Sequence, residues 1–257
     1  MSILPDILVR YGDDLLDGFV ITLKLVFYSV AIGALLAMVV AYWRMPGAGK
    51  GARNPFLRLF LYPLFRALAL FYTNLFRGTP LLAQLFLIYY GAGQFAPFWR
   101  EVGLWWFLRD PFNCALLTFV LNTAAYQAEI FRGAVMAVPK GQWEGAAALG
   151  LTRRIAFLRV VGPQAALYAL RPFGNEVILM VKGSAIASVV TVYDLLGETR
   201  LAFSDTFRFD VYFYAAALYL VLVETLRRVW NLLEGRLTRH LDTDADLAKK
   251  VGRAAVT

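Results

Sequence analysis

Five polar side chains interrupt otherwise apolar stretches, and their types set the chemistry open to this sequence: Arg77, Glu129, Asn175, Glu176 and Lys182. A charged group facing lipid is costly, so such residues turn towards protein or a water-filled path. On one reading Glu176, with Asn175 and Glu129, lines that path and attracts a cationic ligand group, while Arg77 receives a carboxylate. On the other, Glu176 pairs with Lys182, Lys24 or an arginine of a partner chain and only holds helices together. Glu176 and Lys182 stand six residues apart, an awkward spacing for a pair on one helix face. Both readings stay open on the residues alone. Glu224 reads more simply, as an interfacial charge facing Arg227 or Arg228.

Catalytic constellations are missing. His240 is the only histidine and Cys114 the only cysteine, which argues against imidazole-rich metal sites and excludes an internal disulfide. The run GAGKG, Gly47 to Gly51, departs twice from the phosphate-loop pattern: Arg44 stands where the first glycine belongs, and Gly51 follows the lysine. No G-x-S-x-G, H-E-x-x-H or C-x-x-C pattern occurs. If nucleotide energy is used, another chain hydrolyses it.

A second kind of chemistry, docking, is suggested by the segment from Val138 to Arg171. It carries four arginines, a lysine and a glutamate between two apolar stretches. Pro139, Lys140 and Gly141 close a turn. Gln142 to Leu149 then reads as a short helix with Glu144 in its first turn, where the helix dipole favours a carboxylate. Gly150 suits the left-handed residue after a helix end, and Thr152 can cap a second helix from Arg153 to Val161, stopped by Gly162-Pro163. Gly145, Ala146, Ala147 and Ala148 offer a small-residue face for close approach by a partner. Arg153, Arg154, Arg159 and Phe157 equally suit a helix resting on lipid. Local physics leaves docking and resting evenly matched.

These groups must be positioned by membrane helices. The 257-residue chain is 60% hydrophobic and 17% charged, too little polar surface for a soluble domain of its length. The fold class expected is all-α: a single-domain integral membrane protein of five transmembrane spans, at about 19–43, 59–90, 112–132, 172–192 and 211–226. The second run is too long for one crossing, and Pro80 in FRGTPLL should distort it at membrane depth, with the freed backbone facing protein or water. The net charge of +8 does not point to nucleic acid, because the basic residues gather between and after the spans. Arg44, Lys50, Arg53 and Arg58 follow span one, the 138–171 segment follows span three, and Arg227, Arg228, Arg236, Arg239, Lys249, Lys250 and Arg253 follow span five. Segments on the opposite side hold only Arg10, Arg100, Arg109, Arg200 and Arg208. The positive-inside rule therefore predicts an external N-terminus, a cytoplasmic C-terminus and a cytoplasmic 138–171 segment. The acidic start, with Asp6, Asp13, Asp14 and Asp17, is unlike a cleaved secretory signal. The loop from Gly91 to Pro111 and the stretch from Thr191 to Asp210 are expected outside. An odd number of spans leaves one subunit little room for a complete pathway, so a dimer or pseudo-dimer is expected.

The run EGAAALG, followed by Phe157, Val160, Val161 and Pro163-Gln164-Ala165, resembles the E-A-A…G…P loop of ABC-importer permease subunits, which docks in a cleft of the ATPase subunit. FRGTPLLAQLFLIYYG (76–91), YQAEIFRGAV (126–135), VPKGQ (138–142) and GNEVILMVKGSAIASVVTVYDLLG (174–197) are similar to the polar amino acid permeases, and the last looks most like the histidine, arginine and opine (octopine, nopaline) branch. The likeness runs from about Leu15 to Arg239, with the motifs in family order. Gly145 departs from the usual second alanine and Gly162 from the usual leucine.

The resemblance implies a type I ABC importer transmembrane domain in a bacterial inner membrane, taking up polar, cationic or opine-type amino acids with the help of a periplasmic binding protein. It implies no catalytic residue here and no cofactor bound by this chain, with ATP and Mg on two partner ATPase subunits, and a second, related permease. It also implies coupling to the ATPase through Glu144, Gly145, Ala146, Ala147, Leu149, Gly150 and Arg153. A secondary transporter or channel without an ATPase would be expected to show inverted repeats and more spans. A membrane anchor would explain the helices but not Glu176.

Overall fold

In a bilayer each apolar run must satisfy its own backbone hydrogen bonds, and every described element is helical. The structure, a computed structural model, describes the backbone of residues 6–45 and 60–254 and the side chains of residues 7–45 and 60–238. Lys50, Arg53, Arg58 and the GAGKG turn lie outside the described residues. Helix α1 covers Asp6–Arg44, α2 Tyr62–Gly78, α3 Leu81–Gln94, α4 Ala96–Glu101, α5 Trp105–Leu108, α6 Pro111–Ala137 and α7 Lys140–Ala148. Then come α8 at Arg153–Ala156, α9 at Gly162–Gly183, α10 at Leu195–Thr206 and α11 at Asp210–Ala254.

Among the described residues three stretches are long and apolar enough to cross a bilayer: Ile7–Arg44, Pro111–Ala137 and Arg153–Val190. The run expected over 59–90 is divided, because Pro80 has no N–H to continue the ladder, into helices of 17 and 14 residues. Helix α11 continues far beyond Leu226, since helix-forming Arg, Leu and Glu follow with no proline to stop it. The two segments expected outside contain α4, α5 and α10 rather than open loop.

Helix α6 lies at the centre, packed on α1, α2, α3 and α9. Its buried positions include Cys114, Ala115, Thr118, Thr123, Ala124, Ala125 and Ala128, small side chains that let neighbouring helices close up. A Cβ on Gly33 of α1 would lie 2.7 Å from Thr123 Cγ2, so this crossing needs glycine. Around Phe119 the core gathers Leu25 and Val26 of α1, Leu85 of α3, and Met180 and Val181 of α9.

The second helix of the 138–171 segment does not stop at Gly162-Pro163. Helix α8 passes through a wide π turn, Phe157–Val161, straight into α9. Pro163 falls in the first turn of α9, directly after the π turn, whose widened register accommodates a residue with no N–H to donate. The Gly162 N–H bonds back to the Phe157 carbonyl across the π turn, and a Cβ on Gly162 would sit 2.7 Å from that oxygen. Glycine at 162 is thus what the wide turn requires. Pro172, expected to open the fourth span, lies inside α9.

At the other end of α9, a 3-10 segment (Ser184–Val190) leads to α10. The Asp194 carboxylate caps α10 by accepting from the Gly197 N–H at 3.0 Å, and the Leu195 N–H donates to the Thr22 hydroxyl of α1 at 3.1 Å. Asp194 is fully buried, and burial pushes its carboxyl up to about 7.

Candidate functional site

Helix α7 starts at Lys140, two residues earlier than its apolar pattern suggests, so Glu144 lies in the second turn rather than the first. Its end follows from one residue. Gly150 adopts φ +72°, its N–H bonds the Ala147 carbonyl at 2.9 Å, and the Leu151 N–H bonds the Ala146 carbonyl at 3.1 Å. That is a Schellman closure, which needs a residue at ease in the left-handed region. Thr152 then caps α8 by accepting from the Ile155 N–H.

Trp143 stacks on Phe157 with ring centroids 6.5 Å apart, and Gln164 donates to Gln142 at 3.1 Å. These contacts fix α7 against the π turn and the start of α9. Ala146, expected on the partner face, is turned inward at 3% exposure. Glu144, Gly145, Ala147, Ala148, Gly150 and Arg153 are exposed, and Leu149 is 80% exposed. No hydrogen bond or ion pair among the described residues engages Glu144. The segment presents an outward edge of a carboxylate, small residues and one leucine on a rigid base.

The polar residues of the spans form separate groups. At the break between α2 and α3, the Gln84 amide donates to the Phe76 carbonyl at 2.9 Å and to the Thr79 carbonyl at 3.1 Å. Asn122 of α6 adds bonds to the Phe76 carbonyl at 3.2 Å and to the Gln84 side-chain oxygen at 3.0 Å. The backbone freed by Pro80 therefore meets protein, as expected, through two residues the sequence reading did not single out. Their signal was an amide in an apolar run.

Glu176 is 7% exposed and faces α6. The Thr123 hydroxyl donates to Glu176 at 2.9 Å, and Gln127 donates to Thr123 at 3.0 Å. Thr123 and Gln127, four apart on α6, form a relay aimed at the carboxylate. Lys182 and Lys24 are exposed, and neither pairs with Glu176 among the described residues. The neighbouring Asn175 points the other way, into a cavity of about 290 Å³ lined by Arg171, Arg227, Trp230 and Glu234. A Cβ on Gly174 would run into the Trp230 indole, so glycine lets α11 lie against α9 there.

Glu129 stands apart from Glu176, among arginines. It pairs with Arg44, with Arg132 at 2.8 Å and with Arg77 at 3.9 Å. Arg44, expected in the cytoplasmic link, is instead the last residue of α1, folded in with 12% side-chain exposure and donating to Thr73 at 2.9 Å. Arg77 lies over the Tyr126 ring, 5.4 Å from its centroid. Helices α1, α2 and α6 are thus tied through one carboxylate.

The sequence profile described as "Binding-protein-dependent transport system inner membrane component" matches residues 56–239. Over 246 residues the chain is 40% identical to an octopine transport system permease protein of Rhizobium meliloti, covering 94% of each. It is 38% identical over 221 residues, 86% of each, to a nopaline transport system permease protein of Agrobacterium fabrum. With an arginine ABC transporter permease protein of Escherichia coli it shares 39% identity over 163 residues, 63% of this chain and 73% of that protein. Among solved structures, an amino acid ABC transporter superposes with a TM-score of 0.76 at 33% identity, covering 92% of this chain and all of that one. The MetNI methionine ABC transporter shares the fold at TM-score 0.62 and 20% identity. The exposed turn at Glu144–Gly150 and the buried polar helices behind it therefore belong to a member of the binding-protein-dependent transport system inner membrane component family.

Proposed function

We propose that this chain is the permease subunit of an ATP-driven, binding-protein-dependent importer of polar amino acids or opines, in which α7 transmits ATPase closure to the spans. The observation that carries this reading is the outward edge of α7, closed by the Schellman turn at Gly150 and packed against the π turn that joins α8 to α9. A push on α7 would pass through the Trp143–Phe157 and Gln142–Gln164 contacts to the π turn and α9, which carries Asn175, Glu176 and Lys182. Rigid elements with two packings are what rocking between outward and inward access requires. Hydrolysis belongs to a separate ATPase chain, which holds the ATP and Mg.

The rest of the proposal concerns the assembly. Five spans, with α2 and α3 sharing one and the start of α11 forming the last, put the N-terminus in the periplasm and the C-terminus in the cytoplasm. A second, related permease completes the pathway, to which Asn175, Glu176, Glu129, Arg77 and Lys182 contribute. The opine and arginine permeases among the relatives support that substrate class. Co-purification tests the reading: an ATPase subunit should accompany the wild-type chain and leave when Glu144 is changed to Arg or Gly150 to a bulky residue, with membrane insertion intact. Full binding-protein-dependent uptake in both variants would overturn it.

A further inference from the structure

Between α3 and α6 the chain forms α4 and α5, of six and four residues, both too short to cross a bilayer. At 100° per residue Phe95, Phe98 and Val102 share one side of α4, away from Arg100 and Glu101. With Leu104 and Trp106 they are 47% to 67% exposed. Leu87 and Tyr90, three apart on α3, carry an exposed apolar face to the same end of that helix. So much contiguous apolar surface calls for a cover, and tryptophan and tyrosine at the end of a span suit the membrane interface. Beside it, between α3 and α5, lies a cavity of about 390 Å³ lined by Tyr89, Tyr90, Gly93, Trp105, Leu108 and Arg109. The Arg109 guanidinium is exposed, and neither it nor the Tyr89 and Tyr90 hydroxyls make a hydrogen bond or ion pair among the described residues. Arg100 lies over the Trp105 ring, 5.6 Å from its centroid, and steadies that wall. Of the two acids in the segment, Asp110 is engaged in capping α6, accepting from the Phe112 N–H at 2.8 Å, and Glu101 stands exposed on α4.

We infer that this cavity is a headgroup site for a single phospholipid, whose phosphodiester is held by Arg109 and the two tyrosine hydroxyls and whose acyl chains lie along the exposed face of α3. Three groups able to donate, one of them cationic, call for an oxyanion. A free phosphate would satisfy those donors and leave the apolar surface beside them in water, whereas a phospholipid satisfies both. The bound lipid ties the α4–α5 segment to the bilayer through aromatic side chains that would otherwise be exposed. The site goes beyond the importer reading and does not depend on it; only the leaflet that supplies the lipid follows from the orientation proposed above.

The test is photo-capture by the full chain, purified from membranes in detergent with its co-purifying subunits and stripped of lipid. The probe is a phosphatidylglycerol with a photoactivatable acyl chain, and capture is mapped to the peptide covering residues 87–109. Unlabelled phosphatidylglycerol should compete at about tenfold lower concentration than dioleoylglycerol, the value of one charge-assisted hydrogen bond, and inorganic phosphate should not compete. Arg109→Gln should erase the difference between the two lipids, Arg109→Lys should keep part of it, and Tyr89→Phe with Tyr90→Phe should reduce it. Arg109 is exposed, so melting of the lipid-free Arg109→Gln protein should match wild type. Equal competition by the two lipids in wild type, capture outside residues 87–109, or competition by inorganic phosphate as strong as by phospholipid would overturn the site. Unchanged lipid capture in Arg109→Gln, with binding-protein stimulation of the ATPase lost, would overturn it in favour of a binding-protein contact.

Discussion

The turn after α7 and the polar interior around α6 solve opposite problems. The turn is local: Gly150 and Thr152 close one helix and open the next through bonds spanning a few residues, leaving Glu144 and Leu149 outside. The interior is built from residues far apart in the chain. Thr123 meets Glu176 across 53 residues, and Gly33 admits Thr123 from a third helix. One region leaves its polar groups exposed, and the other buries its own against one another, with Ser29 Oγ, Arg44 Nε and Gln127 Oε1 left without a hydrogen bond among the described residues. In the proposed function α7 is a handle, which must be exposed and stiff, whereas spanning helices must satisfy their backbone hydrogen bonds within the protein.

Perturbations should break the two regions differently. The largest effect is expected at the exposed edge: Glu144→Arg should cut binding-protein-dependent uptake on the order of a thousandfold, by reversing a charge where a partner seats. Thermal stability of the isolated chain should not change, which a detergent melting curve checks. Asp194 comes next. Its folded carboxyl titrates near 7 against an ordinary 3.8, so the protonated form favours the fold. That stability is full below about pH 4 and is lost as pH rises through 7, by up to about 4 kcal/mol. Asp194→Asn should flatten the pH dependence of melting between those limits. Thr123→Val removes the donor to a buried carboxylate and should cost about 2 kcal/mol in stability, with uptake falling alongside. Smallest is Gly145→Ala, where a Cβ meets nothing within 4 Å. It should stabilise α7 by at most about 1 kcal/mol and leave uptake unchanged, read by amide exchange at Glu144 to Leu149.

The same contrast explains what could be read from the sequence. The all-helical class, the break at Pro80, the left-handed Gly150 and the Thr152 cap were legible because each depends on neighbours in the chain. The passage of α8 into α9 was not, since Gly162-Pro163 normally punctuates a helix and only the π turn converts it into a start. Ala146 looked like part of a partner face because nothing local reveals the base on which α7 rests. The three arginines around Glu129 come from α1, α2 and α6, and no spacing rule links positions 44, 77 and 132. Glu176 pairs with neither Lys182 nor Lys24 among the described residues and instead accepts from Thr123, a hydroxyl that sequence alone marks only as a small polar residue in an apolar run.

The central claim is that α7 seats in an ATPase subunit rather than on lipid. Leu149 on α7 and Leu87 on α3 are 80% and 75% exposed, so a photo-crosslinking residue at either is equally free to react. In native membranes containing the whole importer, the probe at 149 should capture the ATPase chain and the probe at 87 should not. Capture of lipid alone from position 149, with the ATPase present and uptake intact, would contradict the account.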